Sequence, residues 1–127
     1  MARVDSGPSQ LLVKRFTYDA SIDGTAAAVY TLGSIPDNAI VVRSVIDVPT
    51  AFTSPSGTPT VAVGIAVSHV IESGNWNAVP WTGLTQTTTD TAFPYKTDAA
   101  RAVTLTIGTT AVGVGVVHLW LEYYQGA

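Results

Sequence analysis

The chain has 127 residues, with 6 Lys and Arg against 9 Asp and Glu, giving a net charge of −3 and a pI near 5.0. That length suits one domain rather than two. The acidic balance, without a basic run to neutralise phosphates, excludes nucleic acid as an expected partner. The absence of cysteine excludes disulfides and thiolate metal sites.

Charged residues make up 12% of the chain, about half the share usual in soluble domains. Thr (18) and Val (17) dominate instead, and both favour pleated surfaces. A neutral, Thr-coated exterior gives little charge repulsion between copies, so an assembled state is expected. The polar start, Met1 to Pro8, has no apolar stretch of the kind a secretory leader needs, and no segment has the length of a membrane span. A soluble protein, cytoplasmic at birth and with no membrane partner, is the expectation.

Residues 1–9 precede any periodic pattern and are read as an extended arm, flexible or bound to a neighbouring subunit. Arg3, Val4 and Asp5 within it are candidate interaction residues. From Gln10 to Asp19 side chains alternate, with Leu12, Lys14, Phe16 and Tyr18 on one face of a strand. Ala20 to Thr25 is turn chemistry. Ala26 to Ile35 predicts a second strand, ended by Pro36-Asp37-Asn38. Ala39 to Val48 predicts a third, with Ile40, Val42 and Ile46 opposed to Arg43 and Asp47. Three prolines between Pro49 and Pro59 make that stretch a loop.

Thr60 to His69 predicts a fourth strand. Within it, Val61, Val63, Ile65 and Val67 form a bulky face and Ala62, Gly64 and Ala66 a thin one. Glu72 to Gly83 reads as a long aromatic loop. Leu84 to Phe93 predicts a Thr-rich edge strand, and Ala102 to Ile107 another strand. Gly108 to Ala111 is a turn. Val112 to Gln125 closes the chain, with Leu119, Leu121 and Tyr123 on one face. About seven or eight antiparallel strands at this spacing define an all-β class, a single β-sandwich or jelly-roll-like domain over residues 10–127. A period of two does not reveal strand order.

A search for catalytic chemistry finds little. His69 and His118 are the only histidines, each in a predicted strand. Ser68 and His69 point to opposite faces and cannot act as nucleophile and base. Asp19 to Gly24 lacks the alternating ligands of a calcium loop, so its carboxylates are read as turn residues. Gly113-Val114-Gly115 lacks the strand-turn-helix frame of a phosphate cradle and marks a bulge or close approach within the last strand. Glu72 and Glu122 are the only glutamates. No catalytic, cofactor or metal residue is assigned, and an enzyme is not expected. Trp76 and Trp81, on one loop, are the remaining candidate interaction residues. They would either stack on a glycan or anchor a protein, or else fold back to cap the sandwich.

The order of patterns resembles one family. Leu12-Val13-Lys14-Arg15-Phe16-Thr17-Tyr18-Asp19 is followed by Tyr30-Thr31-Leu32-Gly33-Ser34-Ile35-Pro36-Asp37-Asn38-Ala39-Ile40-Val41. Thr60 to Ile65, Val103 to Ile107 and Leu119-Trp120-Leu121-Glu122-Tyr123 complete the series. Together they resemble small virion proteins of tailed bacteriophages, in particular capsid decoration (cement) proteins. The resemblance implies a place on the head exterior of a virion. It also implies contacts with the major capsid protein and with copies of the chain itself, as a dimer or trimer. Tail, neck, baseplate or head-spike placement is the alternative within that class. A carbohydrate-binding receptor module is the alternative outside it, and a glycan is expected only there.

Overall fold

Alternating bulky and polar side chains set most of the chain into strands, and the computed structural model describes residues 10–88 and 92–126. The strands are β1 (Leu11–Asp19), β2 (Val29–Ile35), β3 (Ala39–Thr50), β4 (Thr60–Ile65), β5 (His69–Asn75), β6 (Gln86–Thr88), β7 (Tyr95–Lys96), β8 (Arg101–Gly108) and β9 (Val116–Gln125). A single helical turn, α1 (Ala20–Asp23), follows β1. The Asp19 carboxylate accepts from the Ser21 backbone N–H at 2.9 Å, and Asp23 accepts from the Asp19 N–H at 2.8 Å. Both acids of the supposed calcium loop therefore hold backbone donors at the start of α1.

One sheet runs β1-β9-β3-β6, with β7 also paired to β3, and the other runs β2-β8-β4-β5. Every pairing is antiparallel. From β1 to β4 the chain changes sheet at each strand, and the last strand, β9, lies between β1 and β3. This interleaving is the jelly-roll arrangement of two packed sheets. It supplies the strand order that alternation alone leaves open.

Both inner faces are apolar. Phe16, Tyr18, Val41, Ile46, Leu119 and Leu121 from one sheet meet Ile35, Val61, Val63, Ile65, Val103 and Leu105 from the other. One end of the sandwich is closed by a chain of rings. Tyr30 lies 5.2 Å from Tyr18, Tyr18 stacks 6.1 Å from Phe52, and Phe52 meets the edge of Trp81 at 6.0 Å. The sheets are tied along one side by Lys14, whose ammonium donates to the Ser34 carbonyl at 2.7 Å. Along the other side, Gln86 donates to Glu72 at 2.5 Å and His69 donates Nε2–H to the Ala92 carbonyl at 2.6 Å.

Several boundaries differ from the sequence reading. The predicted strand Thr60 to His69 is two strands, because the chain reverses at Ala66 and Val67, whose φ angles are 55° and 63°. No glycine or asparagine announces that turn, so the apolar alternation runs straight through it. The aromatic loop is shorter than expected, since β5 extends to Asn75. In β3 an irregularity between Val41 and Arg43 shifts the register. The buried set passes from Ala39 and Val41 to Ser44, Ile46 and Val48, leaving Ile40 and Val42 only half-buried. β2 starts at Val29 rather than Ala26, and β6 starts at Gln86 rather than Leu84, with residues 89–91 of that expected strand outside the described residues. β9 begins at Val116, so Gly113 and Gly115 precede the strand rather than lie within it. Close approach does explain Gly115, where a Cβ would lie 2.5 Å from the Phe52 ring.

Candidate functional site

The outer faces of the two sheets follow from the same alternation. On β2-β8-β4-β5, Val103, Leu105, Ile107, Val61 and Val63 point inward, which sends Ala102, Thr106, Thr60 and Ala62 outward. Across the strands, Val29 and Ala62 both register with Thr106, and Asn75 with Thr60. Val70 stands exposed opposite Gly64. No outward position of these four strands carries a charge.

The face of β1, β9 and β3 is built differently. Its outward residues line up in cross-strand rows: Leu11, Tyr124 and Ile40; Val13, Glu122 and Arg43; Arg15, Trp120 and Val45; Thr17, His118 and Asp47. Between them lies a groove of about 390 Å³ lined by Val13, Val45, Asp47, Thr85, Trp120 and Glu122. The Arg43 guanidinium holds Glu122 Oε2 at 2.8 Å, and the Thr85 hydroxyl donates to Asp47 Oδ1 at 2.8 Å. Thr17 Oγ1 and His118 Nδ1 share a 3.0 Å hydrogen bond, and the His118 ring lies 5.8 Å from that of Trp120.

Arg3, Val4 and Asp5 lie outside the described residues. The two loop tryptophans are placed by packing. Trp81 is 0% exposed, enclosed against Phe52, while Trp76 is half-buried against the core. As an exposed pair for stacking on a ligand they are corrected: Trp81 presents no ring face, because it fills the end of the sandwich. The folding-back reading describes its position. Among the described residues no ring contact joins the two. Trp120 was not singled out by sequence reasoning. The signal was present in Leu119-Trp120-Leu121-Glu122-Tyr123, where an inward Leu, Leu and Tyr leave Trp120 and Glu122 on the outer face.

The histidines have structural partners. His69 stacks on Tyr95 at 3.9 Å, and His118 sits on the outer face. Among the described residues no group of three or more His, Cys, Asp or Glu is arranged to hold a metal ion. Burial, reinforced by nearby Tyr30, Asp23 and Asp19, pushes the Tyr18 phenol well above its usual ionisation range. Its hydroxyl donates to the Gly24 carbonyl at 2.5 Å. The exposed Asp98 carboxyl is lowered by its hydrogen bond and ion pair with Arg101.

No protein-family model and no curated protein matches the sequence. Among solved structures, the chain is similar to a chain of the cyanophage Pam1 capsid asymmetric unit. The TM-score is 0.72 and the identity 19%, over 98% of this chain and 94% of that one. It is also similar to a chain of the Ralstonia phage GP4 capsid, with TM-score 0.62 and 25% identity over 100% and 92% of the two chains. A third likeness is to the acid-stable capsid of Helicobacter pylori bacteriophage KHP30, with TM-score 0.62 and 16% identity over 92% and 93%. The fold is therefore one that phage capsids contain as a chain of closely similar length.

Proposed function

We propose that this protein is a non-enzymatic structural component of a tailed-phage virion, a decoration or cement protein bound to the outer surface of the head. The observation that carries the reading is the two-way coverage. Each of the three capsid chains is matched over at least 92% of its own length, so the likeness is to a whole small subunit. A shell offers the same contact many times, and a protein that binds only the assembled state stabilises it by mass action.

The uncharged outer face of β2-β8-β4-β5 is the surface we assign to the major capsid protein or the next copy of this chain. Thr, Ser, Ala and Val leave water at little cost, whereas each unpaired charge buried in an interface costs several kcal/mol. Residues 1–9, including Arg3, Val4 and Asp5, are assigned to the same contact. Deleting them should weaken binding to shells while the thermal midpoint stays unchanged, and equal binding by the truncated protein would remove the arm from the proposal.

The placement is tested by immunogold electron microscopy of purified particles. Gold over heads, and earlier thermal rupture of shells lacking the protein, are the expected results. Gold confined to tails would overturn the decoration reading in favour of a tail or neck component.

A further inference from the structure

We propose that the groove on the outer face of β1, β9 and β3 is a saccharide-binding site, with Trp120 as its platform and Asp47 and Glu122 as acceptors for sugar hydroxyls. A pyranose ring has an apolar C–H face and a polar rim of hydroxyls. The groove's lining is mostly apolar, from Val13, Val45 and Trp120, as a stacking platform needs, and Asp47, Thr85 and Glu122 supply its few polar atoms. Its volume of about 390 Å³ lies at the small end of ligand pockets, enough for one or two sugar rings.

The polar groups are already oriented. Arg43 engages Glu122 through Oε2 and Thr85 engages Asp47 through Oδ1, so neither carboxylate has to find its rotamer on binding. Among the described residues no hydrogen bond reaches the other oxygen of either carboxylate, Glu122 Oε1 or Asp47 Oδ2. Each belongs to a residue that lines the groove and keeps acceptor capacity to spare. Trp120 stands between its register partners Arg15 and Val45, with His118 on the same strand and face.

Charge selects the ligand class. In the rows that flank the groove Arg15 and Arg43 stand against Asp47 and Glu122, with Lys96 of β7 further off beside Ile40, so the groove's immediate surroundings favour neither a strongly cationic nor a strongly anionic ligand. An uncharged, hydroxyl-rich ligand with an apolar face suits an aromatic ring framed by paired ions. The glycan chemistry that the sequence suggested for Trp76 and Trp81 thus belongs to Trp120, which lies in an open groove.

The test uses the free full-length protein, so its outcome does not depend on whether the protein decorates capsids. A printed array of bacterial O-antigen and capsular polysaccharides is probed with labelled protein, and the best glycan is titrated by calorimetry. The wild type should bind at least one glycan. W120A should bind it about tenfold more weakly, D47N and E122Q should also weaken it, and W120F should retain most of the affinity. Thermal midpoints establish that each variant is folded. If W120A does not fold, D47N and E122Q decide the matter alone. Absence of wild-type binding across the array would overturn the proposal. So would undiminished binding by folded W120A, or by D47N and E122Q together. Loss of shell binding by W120A, with no glycan bound by the wild type, would reassign the groove to a protein partner and also overturn it.

Discussion

Both sheets of the sandwich expose every second residue, but they place different chemistry there. The β2-β8-β4-β5 face presents Thr, Ser, Ala and Val without a charge. The face of β1, β9 and β3 presents Trp120 and Tyr124 among Arg15, Arg43, Asp47 and Glu122, around a groove. Since the backbone pattern is shared, the difference lies in side chains that the core does not constrain. A broad, easily desolvated surface suits a large contact, while an aromatic groove with pre-oriented carboxylates suits a small ligand.

The largest expected effect separates inward from outward tryptophan. Trp81→Ala should lose about 3–5 kcal/mol by opening a cavity beside Phe52, whereas Trp120→Ala should lose only about 1 kcal/mol of cross-strand contact. Urea unfolding of both variants makes the comparison, and equal losses would mean that Trp120 is a core residue. Next, the double change Thr31→Glu and Thr60→Glu places two charges on the neutral face at exposed positions. It should weaken binding to undecorated shells about 100-fold, with Arg15→Glu on the opposite face changing it little. The reverse result in a sedimentation assay would exchange the roles of the two faces.

Tyr18 lies between the faces, and its effect is tied to pH. Its phenol ionises at higher pH in the folded state than in the unfolded chain, where the ordinary value is about 10. Above that pH the unfolded chain has lost a proton that the native state keeps. Stability is therefore full below about pH 10 and falls as pH rises, by up to about 1.4 kcal/mol per unit. Denaturant midpoints from pH 8 to 11 should fall less steeply in Tyr18→Phe.

Two smaller effects concern the turn and the rim. Val67→Gly should stabilise the β4–β5 turn by about 1 kcal/mol, because a β-branched residue is strained at positive φ. A lower thermal midpoint in that variant would contradict the strain argument. Arg43→Ala breaks an ion pair at the rim of the groove and should cost less than about 1 kcal/mol in urea unfolding. Its larger effect should appear in glycan titration, where Glu122 loses its orienting partner.

The alternation of Val, Thr, Leu and Ile determined that this protein is an all-β sandwich, because a strand must hide one face and a period of two says which one. Leu119-Trp120-Leu121-Glu122-Tyr123 even contained the outer-face pair of the groove. Yet the rest of that site comes from β1, β3 and the segment before β6, which only strand order brings beside β9. Strand pairing, the register shift in β3 and the unannounced reversal at Ala66 and Val67 were decided in three dimensions. Local periodicity records how a side chain is turned. Which strand lies next to which depends on contacts between residues far apart in the chain, and on a core tight enough to hold Val67 in a conformation that its own side chain disfavours.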